Sequence, residues 1–227
     1  MKKLDEVVEF FNKMILQELS NEGIDCWIAG GAVVNQFMGA EKKPKTSDVD
    51  IFFPNQTEWN KANIFFKKKG SMCAWESENA KKFTYKYQKF DLVKKFFVSP
   101  EEMFKDFDFT VSMLAVNTKD FFHGEHTPID LLLRDIIVNS LSNPIVTFKR
   151  VKKYQNKGFS IEPNEFSKIK EAAEVEAKTL GKSLNDILKS IDSLEYESMD
   201  DVHDLPGIGI QRVLETESLP TFDWDDI

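Results

Sequence analysis

The chain has 227 residues, 41% hydrophobic with 20 Phe, and a net charge of −8 at pH 7. This is enough for one generous domain, or a domain with a helical extension. The acidic balance argues against indiscriminate nucleic-acid binding, and no run reaches the ~18 apolar residues of a membrane span. The opening MKKLDEVVEFFNKM mixes lysines with acids and does not read as a signal peptide. Cys26 and Cys73 lack metal-type spacing and read as ordinary thiols of a reduced, cytoplasmic compartment.

In chain order, Leu4, Val7, Val8, Phe11, Ile15 and Leu19 recur at helical spacing and predict an amphipathic helix over 3–20. Gly23 suits the position just past its end. DCWIAG reads as a short buried strand, Gly30-Gly31 as a turn, and AVVNQFM as a short helix up to Gly39. EKKPKTS is a polar loop and DVDIFF a strand. A helix follows, capped by Thr57 and running through Lys69 to Gly70. AWES and KKFTYKYQKFDLVKKFFV alternate and are aromatic-rich, which predicts a hairpin of strands. Ser99, Pro100 and Glu102 together announce a capped helix start. FDFTVSMLAV fits a strand or a short helix, and IDLLLRDIIVN a short helix. A longer helix is expected over 144–157, and one or two more over 163–193. The acidic, Pro/Gly-punctuated remainder reads as a loosely ordered tail.

Asp48 and Asp50 are two apart on a strand, so they point to one side of it. Two carboxylates that close repel, and burying them without a counter-charge is costly. A divalent cation would neutralise both, and oxygen-only ligands favour Mg²⁺ or Mn²⁺. The Gly30-Gly31 turn lets backbone approach a ligand, and the following helix offers N–H groups to a phosphate. Phosphate at the glycines and metal on the acids describe a nucleoside triphosphate site. The chemistry of such a site is in-line attack on the α-phosphate between metal ions, two of which are expected. Lys45 in the preceding loop is a candidate phosphate contact. Residues 41–99 carry 13 Lys against 7 acids, a surplus that would steer a phosphate-bearing ligand, whereas 186–227 carry 12 acids against 2 basic residues.

GGAVVNQFMG followed by SDVDIFF resembles the signature of the DNA polymerase β-like nucleotidyltransferase superfamily. The nearest likeness is to the head domain of bacterial-type tRNA CCA-adding enzymes and poly(A) polymerases. Their pattern is G-G-x-V-R-D-x-L-L-G, then D-x-D. DFTVSMLA, PIDLLLRDIIVN and NPIVTFKRVKKYQNKGF are similar, in order, to three later segments of that family, so the likeness covers roughly 25–162. It implies an α+β nucleotidyltransferase fold: a small mixed sheet flanked by helices, with a C-terminal helical extension and the acidic tail. The expected domains are a head over 1–142, a helical neck over 143–193 and the tail over 194–227.

The resemblance implies site residues as well. Asp91, on a neighbouring strand, is the candidate third carboxylate, either metal ligand or base; the plain alternative is a strand acid paired with a nearby lysine. Ser47 is similar to the small residue before the first Asp and is a candidate γ-phosphate contact. Asp108 matches the Asp of D-F-T and could hold backbone geometry or touch ligand. The family's Arg readers are replaced by Val34-Asn35, Asp106-Phe107, Asn143 and Val146. A planar Arg fork has no substitute in Val. Arg134, Arg150 and Lys153, with Lys149 and Lys152 nearby, are the available replacements. Only residues 159–227 follow Gly158, leaving little counterpart to the body that holds tRNA in that family, so CCA addition is not the leading expectation.

The expected function is metal-dependent transfer of an NMP from an NTP to an acceptor hydroxyl. An RNA 3′ end is the leading acceptor, with protein or a small molecule as alternatives. A catalytically silent binding module of the same fold is the competing expectation. Expected partners are NTP, a tRNA-like RNA along the basic 41–99 region, and a protein docking on the acidic tail, with no membrane. His123 and His126 read as loop residues, and GIGIQR at 207–212 carries no nucleotide assignment.

Overall fold

The computed structural model describes residues 1–39 and 48–197. Met1–Ser140 form one compact unit, and a second begins at Leu141.

The first unit is built on a seven-stranded mixed sheet. Its strands are β1 (Trp27–Ala29), β2 (Val49–Phe53), β3 (Met72–Glu76), β4 (Ala80–Tyr85), β5 (Gln88–Phe96), β6 (Leu114–Val116) and β7 (Phe121–His123). They lie in the order β3-β4-β5-β2-β1-β6-β7. Only β2 and β5 are parallel; every other neighbouring pair is antiparallel. A parallel neighbour needs a crossover. Here it consists of α4 (Gln56–Lys68) and the β3–β4 hairpin.

Alternation gives β2 and β5 two different faces. Phe90 and Leu92 of β5 lie on the face of Val49 and Ile51 of β2, to which they are paired. α4 covers this face: the Phe66 ring stacks on Phe83 and packs on Phe90, while Trp59 Nε1 donates to the Leu92 carbonyl at 3.2 Å. Burying each such aromatic stabilises the unit by roughly 1.5–3 kcal/mol. Asp50 and Asp91 point the other way.

The predicted first helix is one continuous element with a π turn. α1 (Leu4–Phe11) passes through Asn12–Leu16 into α2 (Gln17–Asn21), burying Val7, Phe11, Ile15 and Leu19. α3 spans Gly31–Met38. The cap of α4 is Asn55, not Thr57: its side chain accepts the Glu58 N–H at 3.1 Å, and Thr57 already lies inside the helix. Ser99 caps α5 (Pro100–Phe104) as expected. FDFTVSMLAV is both things in turn, a 3₁₀ turn over Thr110–Ser112 and then β6. IDLLLRDIIVN is only half helical. α6 (Thr127–Leu133) stops where Arg134 turns left-handed, and Val138 then bridges Phe109. His123 ends β7 rather than lying in a loop, and His126 precedes α6.

The second unit contains α7 (Pro144–Gln155), α8 (Pro163–Thr179) and α9 (Leu184–Glu197). Ile145, Ala173, Ala177 and Ile187 form its small core. Glu176 of α8 accepts the Ile145 N–H at 2.9 Å, placing a carboxylate at the N-terminus of α7 where the helix dipole favours it. The expected acidic tail, including GIGIQR, lies outside the described residues from 198 onward. Among the described residues no helix is long and apolar enough to cross a membrane.

Candidate functional site

The site grows from strand register. Asp50 of β2 pairs with Asp91 of the parallel β5, and Asp91 pairs with Lys82 of the antiparallel β4. Register partners present side chains to the same face. One row across the sheet therefore reads Ala115, Ala29, Asp50, Asp91, Lys82. Asp48, immediately before β2, joins from the end of the row. Lys82 Nζ lies 2.6 Å from Asp48 Oδ2 and 3.6 Å from Asp91 Oδ2. Asp91 and Lys82 are almost fully buried, at 1% and 2% exposure, and Asp50 is at 8%. Asp48 and Asp91 pair with the Lys82 ammonium in this dry place, where an isolated charge would cost several kcal/mol.

Three carboxylates on one face supply the all-oxygen donor set that Mg²⁺ or Mn²⁺ takes. Among the described residues no three acidic, His or Cys side chains converge tightly enough to enclose an ion. The Lys82 ammonium stands between Asp48 and Asp91 instead. The oxygen donors are of the type a divalent cation takes, but in this arrangement the Lys82 ammonium, not an ion-sized convergence of acids, answers the charge of Asp48 and Asp91.

Gly30 and Gly31 lead from β1 into α3. Gly30 has φ +75° and ψ −141°, a conformation that essentially only glycine adopts. Its N–H donates to the Leu114 carbonyl at 3.0 Å, tying the turn to β6. A Cβ on Gly30 would meet only Phe107, at an ordinary 4.0 Å, and one on Gly31 would meet nothing within 4 Å. Gly30 is therefore required by backbone shape, whereas Gly31 leaves open space at the first turn of α3. The N–H groups of that turn have no intrahelical acceptor.

Positions where the resemblance expects Arg are occupied by packing. Val34 is buried. Phe107 sits among Phe52 and Phe104, with ring centroids 6.1 and 5.7 Å away, and Asp106 pairs with Lys95. The Asp108 carbonyl accepts the Asn139 and Ser140 N–H groups at 2.8 and 3.3 Å. Next to it, the Thr110 hydroxyl donates to Asp130 at 2.5 Å, and the Thr127 hydroxyl donates to the Thr110 carbonyl at 2.8 Å. The D-F-T segment is thus a fastening between the 3₁₀ turn, α6 and the strand-like 137–139 stretch. Arg134 forms the left-handed end of α6. Arg150 and Lys153 belong to α7 of the second unit. Lys45 and Ser47 lie outside the described residues.

Asp91 does face a nearby lysine, the plain alternative for it, and the lysine is Lys82, at 3.6 Å. Its signal was present in the alternation of KKFTYKY, but choosing it among the 13 lysines of 41–99 needs the register with Asp91. That basic surplus is also partly consumed inside the fold. Lys61 pairs with Glu58, Lys69 and Lys86 with Glu18, Lys81 and Lys94 with Glu76, and Lys95 with Asp106.

A parallel pair of strands carrying acids in register, beside a glycine turn that opens a helix, defines the chain as a nucleotidyltransferase-fold protein. Solved structures agree in fold. The Thermotoga maritima CCA-adding enzyme complexed with tRNA matches with a TM-score of 0.61 and 15% identity, over 94% of this chain and 54% of that one. A CCA-adding enzyme complexed with ATP matches at 0.59 and 18%, over 93% and 51%. An apo tRNA-processing enzyme matches at 0.57 and 17%, over 95% and 57%.

The chain itself belongs to the Gabija anti-defense 2 family, whose profile matches residues 2–134. The Gabija anti-defense 2 protein of Bacillus phage SPbetaL7 is 34% identical over 158 residues, which is 66% of this chain and 36% of that protein. The chain thus spans about half the length of the solved structures it matches, and the shared region is little more than a third of the phage relative.

Proposed function

We propose that this protein counters the Gabija defence as a metal-dependent nucleotidyltransferase, moving an NMP from an NTP onto an acceptor hydroxyl and releasing pyrophosphate. The observation that carries this reading is the register pairing of Asp50 with Asp91, beside Asp48, on one face of the sheet. Lys82 accounts for the charge of Asp48 and Asp91, and a third acid, Asp50, buried in register beside them is more than that one ion pair needs. Mg²⁺ or Mn²⁺ held by Asp48, Asp50 and Asp91 would polarise the α-phosphate and acidify the attacking hydroxyl. With the ion held in this way, the reacting phosphorus would come to the face that carries the three acids. Asp91 is the group best buried to take up the acceptor proton. The Gly30-Gly31 turn and the first turn of α3 receive the triphosphate oxygens. The family name supports a partner within the defence system; the acceptor on this reading is RNA, protein or a small molecule, and the place of action is the cytoplasm.

The test is to incubate the protein with each α-labelled NTP, Mg²⁺ or Mn²⁺, and the components of the Gabija system together with total RNA. Label on any component, lost in Asp50→Asn, supports the reading. Absence of label from every component under both metals sinks it.

A second reading is a catalytically silent module of the same fold that binds a Gabija component. Two observations favour it: the Lys82 ammonium inside the carboxylate group, and core packing at the positions of Val34 and Phe107. It predicts that Asp50→Asn retains full anti-defence activity in cells.

A further inference from the structure

The Lys82 side chain enters the acidic face from the sheet itself. It rises from β4 beside Asp91, its register partner, and its ammonium reaches Asp48 at 2.6 Å. A surface lysine meeting an acid by chance would be exposed and mobile, and such a pair would contribute little. Lys82 is 2% exposed. Its long stem is fixed by burial, so its charge has a defined position rather than a cloud of them.

Asp48 and Asp91 both face the one Lys82 ammonium, so a divalent cation drawn to the same two carboxylates must contend with a charge already there. A divalent ion on Asp48 and Asp91 and an ammonium on the same two oxygens also exclude each other. Both need the carboxylate lone pairs, and two cations within a few ångströms in a dry site repel.

We propose that Lys82 is a built-in counter-ion that holds Asp48 and Asp91 together in the metal-free protein and competes with a divalent cation for them. Metal loading then requires the ammonium to withdraw from both oxygens. Metal-free protein keeps its site assembled, and metal binds firmly only when something else takes the lysine's charge. The inference rests on reading Asp48, Asp50 and Asp91 as metal ligands.

The test uses Mn²⁺ alone as the probe, with the full chain and its Lys82→Met, Lys82→Gln and Lys82→Arg variants. Removing the ammonium should tighten Mn²⁺ binding, read by titration calorimetry or the free-Mn²⁺ resonance signal, by about tenfold or more. The metal-free Lys82→Met protein should melt about 6–15 °C below wild type and regain most of that with Mn²⁺. Lys82→Arg should bind Mn²⁺ as weakly as wild type. If Lys82→Met does not fold, Lys82→Gln, which retains a hydrogen-bond donor to Asp48, carries the same comparison. Mn²⁺ affinity unchanged in the neutral variants overturns the proposal. Its failure is separable from failure of the catalytic reading: tightened Mn²⁺ binding with no nucleotide transfer under any metal leaves the counter-ion in place and removes the enzyme.

Discussion

Lys82 and Asp91 are direct partners across the antiparallel β4–β5 pair, and the Lys82 ammonium extends past Asp91 to within 2.6 Å of Asp48. One strand thus supplies the cation and its neighbour an acid, while a third strand, parallel to the second, supplies the acid beside it. The charged row depends on the mixed character of the sheet. Opposite it lies the Phe66, Phe83 and Phe90 cluster under α4, which gives the row a rigid support.

Neutralising either paired acid should separate chemistry from folding. Asp50→Asn and Asp91→Asn each keep the side-chain volume. Each is expected to lower nucleotide transfer about a hundredfold or more, the loss of roughly 3 kcal/mol of transition-state stabilisation. Circular dichroism should show an unchanged fold. Transfer within a few-fold of wild type in both variants would exclude these residues from the machinery.

The two glycines should behave oppositely. Gly30→Ala forces an alanine into φ +75° and is expected to destabilise the protein by about 1–3 kcal/mol. At Gly31 a Cβ meets nothing within 4 Å. Gly31→Ala should therefore be neutral or stabilising by up to about 1 kcal/mol. The same methyl would stand where the triphosphate approaches, so NTP affinity should fall about tenfold. Thermal melts with and without NTP check both halves, and a Gly31→Ala protein that binds NTP normally would move the phosphates away from this turn.

Glu58 links α4 to the segment entering β1. It accepts the Asp25 N–H at 3.0 Å and pairs with Lys61 at 2.8 Å. Burial pushes its carboxyl upward, but the Lys61 ammonium and the Asp25 N–H outweigh this and hold it below the ordinary value of 4.5. A depressed folded value means the stabilisation is complete above the unfolded pKa and is lost as pH falls through the folded one. Glu58→Gln should be about 1–2 kcal/mol less stable at pH 7, a gap that narrows below about pH 4.5. Melting curves from pH 7 to pH 3 would show it, and a constant gap would contradict it.

The two thiols should differ sharply. Cys26 is buried, and burial first, with Asp25 and Glu58 adding to it, pushes its thiol up to about 12. Cys73 is exposed. A thiol reagent at pH 8 should therefore modify Cys73 alone in native protein and both residues in denaturant. Rapid native labelling of Cys26 would mean that the β1 region opens.

The β4–β5 hairpin turns on Lys86 and Tyr87, both left-handed at φ +50° and +64° without being glycine. Tyr87 is 91% exposed, so it gives up no packing on removal. Tyr87→Gly should raise stability by about 0.5–1 kcal/mol, or about 1–4 °C in melting temperature. A lower melting temperature would show that the tyrosine holds the turn.

Much of the fold is written in local pattern. The helical spacing of Val7, Phe11, Ile15 and Leu19, the Ser99-Pro100 helix start and the alternation from Lys81 to Val93 each follow from short-range sterics and capping. Local signals failed where two residues competed for one task, as with Asn55 over Thr57. They failed also where a backbone reversal at Arg134 ended a helix that composition would have continued.

The strand period placed Asp48 and Asp50 on one face, and the glycine pair marked a turn into a helix; both follow from geometry within about ten residues. Three things depended on chain segments meeting across the fold: Asp91 as the register partner of Asp50, Lys82 reaching Asp48 from 34 residues away, and Phe107 packing against Phe52. Register between strands separated by a crossover is set by how α4 and the hairpin dock on the sheet, and a shift of one residue would send every one of these charges to the opposite face.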